Sequence, residues 1–308
     1  MKVDNLILVP YFEDVAAPIF CERLAECTNA NDHVVVVDDG SVTTPFDESL
    51  LTGNNLSGTV IRLARNVGHQ MALVVGVDYV TNNFEFATLT IMDSDGEDKP
   101  SDIQRLLEQL KQDGLDVVVA TRRSRVESLR FKLFYLVYKL LFRILVGRVI
   151  GFGNFMVLTQ PAAHRISLSP EVQLHLAASV INSKLKMGTV LLDRGRRYQG
   201  TSKMNIVSLT LHGLRSIMVF SDQVLVRITL FSVLFAVVVI IAMVAMTAMK
   251  ISGAAIPGWY STGGGILIVL LFQAGFMALM MLLITGKINN RPVTSTNWSR
   301  LILDVIKV

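Results

Sequence analysis

The sequence predicts an α/β fold: a mostly parallel sheet with helices on both faces, extended by amphipathic juxtamembrane helices and a two-helix transmembrane hairpin. Three observations predict it. Val- and Ile-rich runs alternate with helical patterns through the first 122 residues. Acidic or glycine-bearing turns close several of those apolar runs. Two long runs without a charge, Ile228 to Met249 and Gly263 to Thr285, occupy the last third of the chain.

Taken in order, NLILVPYF reads as a strand and Ala17 to Cys27 as a helix. HVVVVDDGS is a continuous apolar strand ending in a turn, and GTVIRLARNVG is a strand running into a loop. HQMALVVGVDYV is the helix after it, FATLTIMDSD a strand, SDIQRLLEQLKQ a helix capped by Ser101, and LDVVVATR a strand. Strands that are apolar at successive positions, rather than at alternate ones, are buried on both faces. Parallel sheets with helical crossovers bury them that way. Such sheets bind ligands at the carboxyl ends of their strands, where VDDGS, RNVG and DSDGED all fall.

SLRFKLFYLVYKLLFRILVG, residues 128–147, is too charged to span a bilayer and too apolar for a solvated helix. Lys132, Lys139 and Arg143 fall on one stripe of it, as in helices lying at a membrane surface. A core helix with snorkelling lysines is the alternative. Residues 204–222 form a second surface segment. Each uncharged run is long enough to cross a hydrocarbon core of about 30 Å, whereas core helices of soluble domains normally keep a polar face. The connection 250–262 carries only Lys250, while Lys287, Arg291 and Arg300 follow the second run. The positive-inside tendency therefore puts both termini in the cytoplasm, in a multi-pass protein of the inner (cytoplasmic) membrane. Two spans without an internal charge argue against a transporter.

The net charge of +4 conceals a division: residues 1–119 carry 20 acidic and 7 basic side chains, and residues 120–308 carry 5 and 22. A basic half that contains the apolar runs points to anionic lipid, not nucleic acid. MKVDNLILVP reads as a strand with no cleavage site after it, so no secretory signal is expected. Cys21 and Cys27 have no disulfide or metal-ligand spacing and are expected to be reduced packing residues. Of the five histidines, only His69 stands near a candidate site.

TIMDSDGEDKP places Asp93, Asp95, Glu97 and Asp98 within six positions at a strand end. That density of negative charge calls for a counter-charge, and carboxylate oxygens suit Mg²⁺ or Mn²⁺ bridging to substrate phosphates. A bare D-x-D is also common in solvated loops. VDDGS sets two acids and a glycine at another strand end, able to accept hydrogen bonds from a base or from ribose hydroxyls, or to form an ordinary Asp-Gly turn.

The succession LVPYFED, VVVVDDGS, LARNVGHQMALVVGVDYV, MDSDGEDKP and RRYQGTSKMN resembles the family 2 glycosyltransferases of GT-A fold. With the terminal spans it is most similar to the polyprenyl-phosphate type, the dolichol-phosphate mannose synthases and bactoprenol glucosyltransferases. The resemblance implies a donor-binding set of Pro10, Phe12, Asp14, Asp39, Arg65, Asn66, Gly68 and Asp93, with Asp39 on the base. It implies a Mg²⁺ or Mn²⁺ site of Asp93, Asp95 and Glu97. Arg122, Arg123 and Arg130 match the cluster that receives a lipid phosphate, and Arg197, Ser202 and Lys203 the segment near the donor pyrophosphate and acceptor phosphate. The implied activity is transfer of sugar from a UDP- or GDP-sugar to undecaprenyl or dolichyl phosphate, with inversion, for cell-envelope glycans. Relatives of this kind often assemble as homo-oligomers.

This resemblance divides the chain into a donor-binding core (1–127), an acceptor-side part (128–222), the hairpin (223–286) and a cytoplasmic tail (287–308). Two departures stand out. Asn154, in GFGNF, occupies the position of a proposed catalytic Asp, and Glu97 stands where glutamine is frequent. Asparagine cannot act as a base, which a hydroxyl acceptor needs and a phosphate, with a second pKa of about 6, does not. The alternatives are the same fold acting on another lipid-linked acceptor, or a catalytically impaired membrane protein that binds nucleotide sugar.

Overall fold

The structure is a computed structural model and describes residues 3–122, 129–148, 151–199, 206–253, 258–289 and 298–308; side chains at 122, 129–135, 137–138, 206–209 and 285–289 are outside the description. Its strands are β1 (Val3–Tyr11), β2 (His33–Asp38), β3 (Gly58–Leu63), β4 (Phe86–Ile91), β5 (Val117–Arg122), β6 (Phe152–Thr159), β7 (Met187–Leu192) and β8 (Ile302–Lys307). Its α-helices are α1 (Ala17–Ala25), α2 (Ser49–Gly53), α3 (His69–Asn83), α4 (Ile103–Gln112), α5 (Leu129–Val146), α6 (Gln160–Ser167), α7 (Leu176–Asn182), α8 (Ile206–Met218), α9 (Ser221–Ile251) and α10 (Trp259–Asn289).

All eight strands form one sheet in the order β7-β5-β6-β4-β1-β2-β3-β8. β4, β1, β2 and β3 run parallel, as do β5 and β7. β6 runs antiparallel between β4 and β5, and β8 antiparallel along β3. Successive residues of one strand enter opposite cores. Leu6 and Leu8 join Val35, Val37 and α3 on one face, while Ile7 and Val9 join Val34, Val36, α1 and α4 on the other. Burial on both faces is the physical reason these strands read as unbroken apolar runs.

Three differences from the sequence reading concern local detail. Ser101 lies inside a 3-10 turn, Pro100–Asp102, and α4 begins after it without a side-chain cap. Cys21 is buried, its thiol pushed up to about 12 by desolvation, but Cys27 is exposed. The segment expected to be a tail supplies β8.

The chain divides into two compact units. One comprises Met1–Tyr135, Val149–Val219 and Thr294–Val308, the other Leu136–Arg148 and Phe220–Val293. In the second, α9 and α10 pack on one another, with the Lys250 ammonium 4.0 Å from the Tyr260 ring centroid. Both helices are long and apolar enough to cross a membrane, and only 11% and 6% of their most apolar windows are buried. Core helices of a soluble domain would be mostly covered. Within the same unit, Phe142 meets Phe220 edge to face and Arg227 donates to the Ile144 carbonyl at 2.8 Å, while Leu136, Leu140 and Ile144 stay exposed.

Candidate functional site

Parallel pairing brings the carboxyl ends of β1 to β4 to one edge of the sheet. β6, being antiparallel, brings its N-terminal end to that edge: Met156 pairs with Ile91, so Asn154 lies beyond the end of β4. β7, parallel to β5, delivers Asp193–Tyr198 there after Leu192 pairs with Arg122. Of the predicted residues, Phe12, Asp14, Asp39, Arg65, Asn66, Gly68, Asp93, Asp95, Glu97, Asn154 and Arg197 are set by this topology at one rim. Pro10 lies one step inside it on β1. The side chains of Arg122 and Arg130, and all of Arg123, Ser202 and Lys203, lie outside the described residues.

The β2 side of the rim is held by carboxylates that accept backbone N–H groups. Asp39, buried, takes Val67 N at 2.7 Å and Gly68 N at 2.8 Å. The carboxylate expected to bond a base therefore has both oxygens on the neighbouring loop; burial raises its pKa, against the lowering pull of those two N–H groups. Asp38 takes Ser41 N and Phe46 N, each at 2.9 Å. Glu13 takes Val42 N, Thr43 N and Thr44 N at 2.7, 2.8 and 2.7 Å and the Thr44 hydroxyl at 2.6 Å. The Thr44 hydroxyl and these amides pull the Glu13 carboxyl down to about 2. Gly40 turns at φ +69°, and a Cβ there would lie 2.5 Å from the Arg65 carbonyl carbon, so only glycine lets the two loops meet.

The β4 side is built differently. Asp14 accepts Ser94 Oγ–H at 2.7 Å and Ala16 N at 2.9 Å, fastening the turn to β1. Asp95 Oδ1 accepts Glu97 N at 2.9 Å, and Asp95 Oδ2 pairs with Arg197 Nη2 at 2.9 Å. Glu97 accepts Arg197 Nε at 2.8 Å and pairs with Arg194 through its other oxygen. Desolvation raises the Glu97 pKa, but the hydrogen bonds and charges of both arginines outweigh it and leave the group lowered. Backbone bonds Gly195 N to Glu97 O (2.9 Å) and Tyr198 N to Asp95 O (3.0 Å) bind the basic segment along the turn. Gly96, at φ +87°, lies under the Tyr198 ring, where a Cβ would come within 2.9 Å of ring carbons.

The counter-charge to this acidic turn, among the described residues, is thus guanidinium. Glu97, expected among cation ligands, anchors arginines instead. Asp93 and Asp95, with 32% and 24% of their side-chain surface exposed, remain as hard oxygen donors on one turn. Two carboxylates fit a Mg²⁺ or Mn²⁺ ion that keeps waters and takes further ligands from phosphate. No group of three or more His, Cys, Asp or Glu among the described residues is arranged to hold a cation by itself.

Across the rim, His69 Nε2 lies 3.5 Å from Asp93 Oδ1 and 2.9 Å from Asn154 Nδ2. Desolvation lowers the His69 pKa, against the opposing charges of Asp39, Asp95 and Asp98. Gln70 reaches Asn154 Oδ1 at 3.5 Å and accepts Leu176 N at 2.9 Å. Sequence reasoning passed over Gln70, Ser94 and Arg194. The clue for Arg194 was the run RGRR facing an acidic turn of opposite sign.

Residues 7–158, which span the whole rim up to Asn154, match the model of Glycosyl transferase family 2. The chain carries a family 2 glycosyltransferase domain. An uncharacterized glycosyltransferase of Synechocystis sp. is 28% identical over 231 residues, 72% of this chain and 70% of its own. Another, YkcC of Bacillus subtilis, is 26% identical over 293 residues, 89% and 85% of the two chains. The dodecaprenyl-phosphate galacturonate synthase of Rhizobium johnstonii is 27% identical over 133 residues, 40% of this chain and 37% of its own. Among solved structures, glucosyl-3-phosphoglycerate synthase of Mycobacterium tuberculosis, crystallised with Mn²⁺ and uridine-diphosphate-glucose, superposes with a TM-score of 0.52 at 13% identity. That match covers 72% of this chain and 79% of the other, and it shows that the glycosyltransferase domain has the GT-A fold.

Proposed function

We propose that the protein moves a sugar from a nucleotide sugar to a polyprenyl phosphate at the cytoplasmic face of a membrane, with inversion, for cell-envelope glycans. An oxygen of the acceptor phosphate bonds to the anomeric carbon from the face opposite the leaving group. The anomeric carbon–oxygen bond to the donor diphosphate breaks, and its electron pair departs with the nucleoside diphosphate. No proton need move, because a phosphate monoester is already largely dianionic at neutral pH. Asn154 at the family's Asp position therefore suits this acceptor and would not serve a hydroxyl.

Asp93 and Asp95 hold the Mg²⁺ or Mn²⁺ ion. When bound, the ion neutralises the diphosphate and improves it as a leaving group. Arg197, held against that turn by Asp95 and Glu97, binds phosphate oxygens, and Arg122, Arg123, Arg130, Ser202 and Lys203 supply the remaining positive and polar groups toward the acceptor. Pro10, Phe12, Asp14, Arg65, Asn66 and Gly68 line the nucleotide pocket, with Asp39 shaping it through the Val67–Gly68 backbone. The helices α9 and α10 span the bilayer with both chain ends cytoplasmic, and α5 lies at the surface. Holding both substrates at one rim supplies proximity.

The observation that carries this reading is the Asp93–Asp95 turn facing Asn154 and bound to Arg197 at the carboxyl rim of a family 2 domain. The Rhizobium relative acting on dodecaprenyl phosphate and the exposed apolar hairpin support the acceptor, and the Mn²⁺ and uridine-diphosphate-glucose of the fold neighbour support the donor and ion. Full-length protein is incubated with radiolabelled UDP- and GDP-sugars and either polyprenyl phosphate or a lipid-linked saccharide. A mild-acid-labile product with one sugar on a lipid monophosphate is expected. Transfer only to the saccharide, or donor binding without any product, overturns the proposal.

A further inference from the structure

The segment Asp193–Tyr198 and the acidic turn after β4 are fitted to each other at two glycines. Gly195 donates its N–H to the Glu97 carbonyl at 2.9 Å, and Tyr198 donates to the Asp95 carbonyl at 3.0 Å. A Cβ on Gly195 would lie 2.0 Å from the Gly96 carbonyl oxygen and 3.2 Å from that of Glu97, backbone atoms that cannot swing aside. On the turn, Gly96 makes room for the Tyr198 ring. The φ of Gly195 is not in the left-handed range, so the position needs glycine for the close approach alone. This fit delivers one guanidinium to two carboxylates. Arg197 Nη2 lies 2.9 Å from Asp95 Oδ2 and its Nε 2.8 Å from Glu97 Oε1, while Arg194 pairs with the other oxygen of Glu97. We propose that this segment is a built-in counter-charge: it seats Arg197 on Asp95 in competition with a divalent cation, and yields Arg197 to the diphosphate that arrives with the cation.

The inference rests on the reading of Asp93 and Asp95 as the carboxylates for the cation. A cation arriving alone must displace a guanidinium from Asp95. A diphosphate arriving with it offers Arg197 a new partner, because the planar guanidinium fork fits phosphate as well as carboxylate. Cation and nucleotide therefore strengthen each other's binding, by the same factor in both directions. Arg196, exposed on the same segment, carries an equal charge but makes no ion pair with the turn among the described residues. It separates the effect of the pairing from that of charge alone.

The free-Mn²⁺ signal in electron paramagnetic resonance reads cation binding by the full-length protein in detergent, without nucleotide. Asp95→Ala gives the binding that does not belong to the turn. Arg197→Gln, which removes the competing charge, is expected to tighten Mn²⁺ binding about tenfold, the size of a hydrogen bond to a charged group. Gly195→Ala keeps every charge but displaces the segment, and is expected to tighten Mn²⁺ binding in the same direction. Arg196→Gln loses the same charge as Arg197→Gln and is expected to change it by less than about twofold, since an exposed charge is screened. UDP and GDP binding is then measured by calorimetry with and without Mn²⁺. For the nucleotide that wild type binds, the tightening brought by Mn²⁺ is expected to shrink in Arg197→Gln by a similar factor. A merely structural lesion would weaken cation and nucleotide together. Unchanged or weaker Mn²⁺ binding in Arg197→Gln, or an equal gain in Arg196→Gln, overturns the proposal, and Arg197→Gln decides it even if Gly195→Ala does not fold. Unchanged or weaker Mn²⁺ binding in a folded Gly195→Ala overturns the part given to the segment. Mn²⁺ binding as tight in Asp95→Ala as in wild type sinks instead the assignment of the cation to this turn.

Discussion

The two acidic clusters at the sheet rim solve the same electrostatic problem with opposite materials. Around β2, Asp38, Asp39 and Glu13 are satisfied by seven backbone N–H groups and one hydroxyl. After β4, Asp95 and Glu97 are balanced mainly by the side chains of Arg194 and Arg197. Backbone amides cannot leave without unfolding the loops that carry them. A guanidinium on a flexible stem can exchange partners by rotating a few bonds. The first cluster is therefore braced by its own loops, and under the proposed function the second is where an incoming cation and diphosphate would find carboxylates whose partners can move.

This contrast makes graded predictions. Asp95→Ala is expected to have the largest effect on transfer, lowering kcat by at least about a thousandfold with an unchanged circular-dichroism spectrum. Full activity would place the cation elsewhere. Asp39→Asn is expected to act mainly on stability. One backbone N–H would face an amide NH₂ in a buried site, costing roughly 2 kcal/mol, read as a lower thermal midpoint.

Glu13→Gln is expected to have the smallest effect, and one with a pH signature. The Glu13 carboxyl is held at about 2, below its ordinary 4.5. Its contribution is then fully present above pH 4.5 and lost as pH falls through about 2. The difference in thermal midpoint between wild type and Glu13→Gln should shrink across that window; a constant difference would mean that the charge does not act through the Val42–Thr44 amides.

The parts of the fold legible in the sequence were those whose causes are local. β1 to β5 announced themselves because both faces are buried, and α9 and α10 because their apolar surface is uninterrupted. β8 was illegible: LILDVIK gains its meaning by pairing antiparallel with β3, some 240 residues earlier, and no local pattern encodes that partner. β6 went unread because Gly153 and Asn154 interrupt the apolar run at the end that forms the rim.

The same division holds at the site. The acidic turn and the loops facing it were visible as charge and glycine at strand ends. Which group neutralises which was not, because Glu97 and Arg197 are 100 residues apart and Gln70 and Leu176 are 106 apart. Asp39 looks like a ligand-binding acid in one dimension. In three, the Val67 and Gly68 amides lie against it and make it a brace.

The central claim, that the turn after β4 and not the cluster after β2 receives the donor diphosphate with its cation, is tested most directly by calorimetry. UDP and GDP are titrated into the full-length protein with and without Mn²⁺, comparing wild type with Asp95→Ala. Wild type should bind one of the two nucleotides more tightly with Mn²⁺, and Asp95→Ala should bind it with the same weak affinity whether or not Mn²⁺ is present. Retention of Mn²⁺-dependent binding in Asp95→Ala would contradict the account.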